Sequence, residues 1–77
     1  MSRRKSNWTF KEVVSFLKEN GFTLHHTRGS HHYFKGFKGG RIRTTHIQYH
    51  GSSSIHPKTL SSVIQQSGIS EEEWLNK

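Results

Sequence analysis

The chain has no cysteine, one proline, only five acidic residues among 77, and no long apolar run. Each shortage excludes something. Without cysteine there is neither a disulfide framework nor a thiolate metal site. Without an apolar run of signal-peptide or membrane-spanning length, the chain reads as soluble and cytoplasmic. Apolar residues make up 29% of the chain, so the core of one small domain must be compact and lean on aromatics. Nine are available: five Phe, two Tyr and two Trp.

The shortage of acid has the largest consequence. Twelve Lys and Arg against five Glu give a net charge of +7 before any histidine protonates. Eleven of the twelve bases fall within residues 1–58, whereas Glu71, Glu72 and Glu73 crowd the C-terminal end. A basic body with an acidic tail points to a polyanionic partner, most simply nucleic acid. The plainer alternative is a charged surface that keeps a small protein in solution.

Residues 1–7 form a basic lead-in without periodicity and are expected to be disordered. Residues 8–77 read as a single domain without internal repeats. Thr9 and Glu12 form a capping box, with Trp8 placed to staple against Val13. Phe10, Val13, Val14 and Leu17 then follow helical spacing, with Phe16 toward the flank of the stripe. Asn20-Gly21 stops the helix. Residues 22–27 alternate as a half-buried strand with Phe22 and Leu24 inward. Arg28-Gly29 turns the chain into a second strand, residues 31–37. Gly39-Gly40 makes a hairpin turn, and a third strand follows from Arg41 to about Gln48. Ile42 and Ile47 fall on opposite faces of that strand, so either it is bulged or only one of them is buried. After the loop at residues 51–54, Pro57 suits the first position of a helix carrying Leu60, Val63 and Ile64 and ending at Gly68. Ser70 and Glu73 suggest a second capping box for a short terminal turn. The class is α+β in the order α-β-β-β-α, two helices on one face of a three-stranded antiparallel sheet, similar to the double-stranded-RNA-binding domain.

The chain carries seven histidines. Adjacent histidines on a strand point to opposite faces, and no His-x-x-x-His pair falls on a helix. No carboxylate lies between residues 20 and 70 to complete a site. His46 and His50 would stand roughly 13 Å apart on an extended strand. Neither a metal nor a cofactor is expected. Strand alternation separates the pair His31-His32: if Phe34 faces the core, His32 shares its side, while His31, Tyr33 and Lys35 point outward. An imidazole near neutral pH can take the proton of an RNA 2′-hydroxyl or return one to the leaving 5′-oxygen. A cationic surround stabilises the charge growing on phosphorus. His31, between Arg28 and Lys35, has that setting, although a lone histidine is more often an ordinary strand residue.

The helix, then Asn20-Gly21-Phe22, then Gly29-Ser30-His31-His32-Tyr33-Phe34 resembles the HicA family of bacterial toxins, mRNA interferases of type II toxin–antitoxin systems. The likeness continues through His50-Gly51, Ile55, Thr59-Leu60 and Gly68-Ile69-Ser70 to Glu72-Glu73. It departs at Ile47-Gln48-Tyr49, where family members usually carry Val-Pro before the third-strand histidine, and at Lys58, where glycine is usual. The resemblance implies the dsRBD-like fold, metal-independent cleavage of mRNA, and neutralisation by a HicB-type antitoxin. It places the catalytic histidine directly after Gly-Ser, on His31. Gly29 would supply the turn that presents it and Ser30 a hydroxyl for a phosphate oxygen. Arg28 and Lys35 would position phosphates, Tyr33 would stack on a base, and His32 and Phe34 are assigned to packing. The alternative is a non-catalytic RNA-binding module on the same dsRBD-like fold.

Overall fold

The first helix forms where the sequence supplies both of its ends. In the computed structural model, which describes residues 7–49, 51 and 53–76, α1 spans Phe10–Glu19. Thr9 Oγ1 accepts the Glu12 amide, and the Glu12 carboxylate accepts the Thr9 amide at 3.0 Å, so each satisfies a donor the helix start leaves open. Trp8 and Val13, on either side of the cap, are both buried in the core. Asn20 closes the other end, its side-chain amide donating to Phe16 O at 2.9 Å.

The sheet runs β1 (Thr23–Arg28), β2 (His31–Lys38), β3 (Arg41–Gln48), in that spatial order and antiparallel throughout. Helices α2 (Pro57–Ser67) and α3 (Glu71–Leu75) complete the α-β-β-β-α order. His56 caps α2, its Nδ1 accepting the Lys58 amide, and Pro57 occupies the first turn as its fixed φ and missing donor favour. Of the expected second capping box the structure forms the Ser70 half, Oγ accepting the Glu73 amide. No helix among the described residues is long and apolar enough to cross a membrane.

The core is a sandwich between one face of the sheet and the helices. Phe34 and Ile47 supply the sheet side, and Val13, Leu17, Leu60, Val63 and Ile64 the helical side. At one end the rings of Trp8, Phe16 and Trp74 meet, with centroids 4.2–5.9 Å apart. The buried polar residues Thr45 and Ser67 have partners, as their desolvation requires. Thr45 Oγ1 donates to Gln66 Oε1 at 2.8 Å, and Trp74 Nε1 donates to Ser67 Oγ at 3.2 Å. Gly36 is buried because Phe22 lies directly over it; a β-carbon there would stand 2.7 Å from the Phe22 ring.

Three expectations are corrected and one open alternative is settled. Strand β1 is exposed along its whole length rather than half-buried, with Leu24 49% accessible. It is the sheet edge, and only Phe22, just before it, reaches the core. The irregularity is in β1 as well, where the pairing slips between Leu24 and His26. Strand β3 pairs without a break, so of Ile42 and Ile47 only Ile47 is buried. Phe16 is a core residue, because the C-terminal Trp74 closes over the flank of α1 that it occupies. Finally, the first hairpin turn is Gly29-Ser30, and Arg28 belongs to β1 opposite His31. Residues 1–6 of the lead-in, His50, Ser52 and Lys77 lie outside the described residues.

Candidate nucleic-acid interface

Side-chain alternation gives β2 two different surfaces. Toward the helices point His32, Phe34 and Gly36; away from them point His31, Tyr33, Lys35 and Phe37. Cross-strand register extends the outer set in rows. Arg28, His31 and Gln48 form the first; His26, Tyr33 and His46 the second; Thr23, Lys35 and Thr44 the third; Phe37 and Ile42 the last. This face carries no carboxylate at all, since the five acids sit on the helices or their ends. It is a cationic and imidazole-rich plane.

The two adjacent histidines differ in every contact. His32 is half-buried beneath the sheet edge. Its ring meets Phe10 edge-on with centroids 4.9 Å apart, and Tyr49 lies beyond at 6.5 Å. Its Nδ1 is 3.1 Å from Ser30 O. A carbonyl oxygen can only accept, so that nitrogen carries the proton. His31, on the other face, has no such anchor. Its Nδ1 is buried and has no hydrogen-bond partner among the described residues, which leaves Nε2 as the nitrogen open to a bound molecule. A buried nitrogen without a partner costs stability and calls for an explanation, of which a catalytic role is one.

The turn before His31 explains how it is presented. Gly29 has φ +61 and Ser30 does not share a positive φ, the combination that lets a two-residue loop follow the strand twist. Ser30 is then held from three sides. Its carbonyl accepts the Tyr49 amide at 2.8 Å and faces His32 Nδ1, while its hydroxyl oxygen accepts Gln48 Nε2 at 3.1 Å. Among the described residues no acceptor takes the hydroxyl proton, which can be donated outward. Gln48 therefore orients Ser30, a role that spacing along the chain did not reveal.

The second row contains a side chain that sequence reasoning passed over except as a metal ligand. His26 and His46 flank Tyr33 on its two sides, with centroids 4.3 and 5.1 Å away and planes within 10° and 21° of parallel. Both faces of Tyr33 are thus occupied by imidazoles. His46 also approaches His31, centroid to centroid 5.8 Å. The signal for this was the register of β3 against β2, which a single sequence with an unsettled third strand did not supply. Among the described residues no group of three potential ligands gathers to hold a metal.

A groove of about 610 Å³ lies elsewhere, lined by Phe10, Val14, Lys18 and Tyr49 among others. It does not include His31.

A model of the HicA toxin of bacterial toxin–antitoxin systems matches residues 10–69. The chain belongs to the HicA toxin family. The matched span takes in α1, the whole sheet and α2, and therefore the whole of the outer face. Trp8 and Trp74, which close one end of the core, lie just outside it. Comparison with curated proteins gave no match, nor did comparison with solved structures.

Proposed function

We propose that this toxin is an endoribonuclease, an mRNA interferase, in which His31 transfers a proton during attack of an RNA 2′-hydroxyl on the adjacent phosphodiester. The observation that carries the reading is the state of His31. It is an imidazole with one nitrogen buried and unpartnered, on a sheet face without a carboxylate and next to Arg28 in the register. A general acid or base must present one nitrogen to the substrate and be held by its surroundings. Arg28 and Lys35 would neutralise phosphates on either side, and the Ser30 hydroxyl would donate to a phosphate oxygen. The Gly29-Ser30 turn brings that hydroxyl beside His31. Tyr33 would serve through its hydroxyl edge and by supporting its neighbours, because both of its faces are already taken. A base would stack instead on the outer side of His26 or His46.

The reaction would yield a 2′,3′-cyclic phosphate and a 5′-hydroxyl. The test is incubation of a defined RNA with wild type and His31→Ala, followed by analysis of the new termini. Cyclic-phosphate ends with wild type, and intact RNA with a folded variant, support the assignment; full cleavage by the variant removes it. An all-deoxy substrate should survive, since it lacks the nucleophile. A HicB-type antitoxin would neutralise the toxin by covering the same face.

The second reading, an RNA-binding module without catalysis, draws on the His26-Tyr33-His46 stack, which suits single-stranded bases. Steep salt dependence of binding with RNA left intact after long incubation would favour it. A double-stranded-RNA binder of this fold usually needs a basic cluster at the start of its last main helix, and in α2 only Lys58 stands there.

A further inference from the structure

We infer that His46 is the second proton-transfer group of the same site, acting with His31 on opposite sides of one phosphodiester. This rests on the ribonuclease reading above and completes it, because cleavage through the 2′-hydroxyl needs two transfers. One group takes the proton from the 2′-oxygen as that oxygen bonds to phosphorus. Another delivers a proton to the 5′-oxygen as its bond to phosphorus breaks. The phosphate leaves as a 2′,3′-cyclic diester, and no other reactant is consumed. A single imidazole cannot stand on both sides of phosphorus in one step.

Three features of the structure single out His46. It is on the outer face, directly opposite Tyr33, and therefore diagonal to His31 across the β2–β3 ladder. Diagonal neighbours on one face of a sheet are within reach of long and aromatic side chains. The ring centroids are 5.8 Å apart, with the planes inclined by 41°. Each imidazole nitrogen reaches about 3 Å to the oxygen it serves, so two rings at this spacing can attend two oxygens of one phosphate. At that inclination they do not stack flat on each other.

The ring is held in place from one side only. Tyr33 lies against one face of His46 at 5.1 Å, and His26 stacks on the far side of Tyr33 at 4.3 Å. The row thus fixes the plane of His46 while leaving its other face and its edge toward His31. His46 makes no hydrogen bond with another side chain among the described contacts, so neither ring nitrogen is committed. Of the other histidines, His32 is tied to Ser30 on the opposite face, His56 caps α2, and His25 lies at the edge-strand irregularity. Among the described residues His26 also shares the outer face, with Tyr33 standing between it and His46.

The alternative role for His46 is that of a stacking surface alone. A phenylalanine preserves stacking but transfers no proton, so His46→Phe separates the two. The sites cut by wild type are first mapped on a defined RNA. The same RNA is then made with sulfur in place of the bridging 5′-oxygen at one mapped bond, giving a leaving group that needs no proton. His46→Phe should slow cleavage of ordinary RNA by about 100- to 10,000-fold and remove one limb of the bell-shaped pH–rate profile. On the sulfur substrate one of the two variants, His46→Phe or His31→Ala, should recover to near the wild-type rate, and the one that does carried the acid. The other should stay slow, having lost the base. His46→Gln, which keeps a polar side chain of similar size at this exposed position, should behave as His46→Phe does.

Cleavage of ordinary RNA by His46→Phe within about threefold of wild type would overturn the inference. So would an equal loss on both substrates with both limbs of the profile retained. If wild type cuts RNA and His31→Ala does not, while His46→Phe is fully active, the ribonuclease reading stands and the pairing falls. If wild type cuts no RNA, both fall together.

Discussion

The two faces of the same three strands do opposite work. The inner face buries Phe34 and Ile47 to within 2% of complete inaccessibility, satisfies Thr45 with Gln66, and gives up the side chain at Gly36 to admit Phe22. The outer face buries little and satisfies little. Its imidazoles lie against one another and against Tyr33, Phe37 and Ile42 stand exposed at the hairpin end, and His31 keeps a buried nitrogen without a partner. Since neighbouring residues of a strand alternate between these faces, His31 and His32 have different surroundings although they adjoin in sequence. One surface is packed for stability, and the other is exposed, cationic and without a carboxylate.

Substitutions on each side should therefore separate folding from activity. Phe34→Ala should be the most severe, losing about 3–5 kcal/mol of packing, comparable with all that a domain this small can hold. Circular dichroism should show a chain largely unfolded at 25 °C. His31→Ala, one turn of the ladder away, should lower RNA cleavage by about 100- to 10,000-fold while the melting temperature stays within a few degrees. A parallel loss of stability would mean that His31 belongs to the inner face after all. Gly36→Ala should cost about 1–3 kcal/mol, because Phe22 has no room to move from over it. Its urea midpoint should fall with unchanged slope, and activity per folded molecule should persist.

His32→Ala tests the adjacent pair most directly. It removes the edge contact with Phe10, worth about 0.5–1.5 kcal/mol, and should leave cleavage by the folded protein near the wild-type rate. A cleavage defect as deep as that of His31→Ala would break the division between the faces. The smallest effect is expected for Arg28→Gln and Lys35→Gln. Each should reduce the slope of log affinity against log salt by about 1 and leave thermal stability unaltered.

Much of this plan was legible in the chain. The capping box at Thr9 and Glu12, the Gly39-Gly40 turn, and the separation of His31 from His32 follow from local chemistry and from the two-residue period of a strand. Such features depend on neighbours within a few positions, so the sequence contains what determines them. Errors arose where distant segments decide. Leu24 looks inward on alternation alone, yet β1 is the edge strand and no helix covers it. Phe16 looks peripheral on α1, yet Trp74, 58 residues later, closes over it. Tyr33 looked free to receive a base, but histidines from both neighbouring strands already flank its ring.

By itself, then, the sequence determined the element order, the charge of the surface and which histidine of the pair faces outward. These are set by short-range periodicity and by composition. Only the tertiary structure decided what stands beside that histidine. The register of β3 on β2 brings His46 to within 5.8 Å of His31, and no local pattern specifies that distance. Register is settled by the whole inner face, where Ile47 must lie over the core, and shifting it by one residue would turn His46 to the other side.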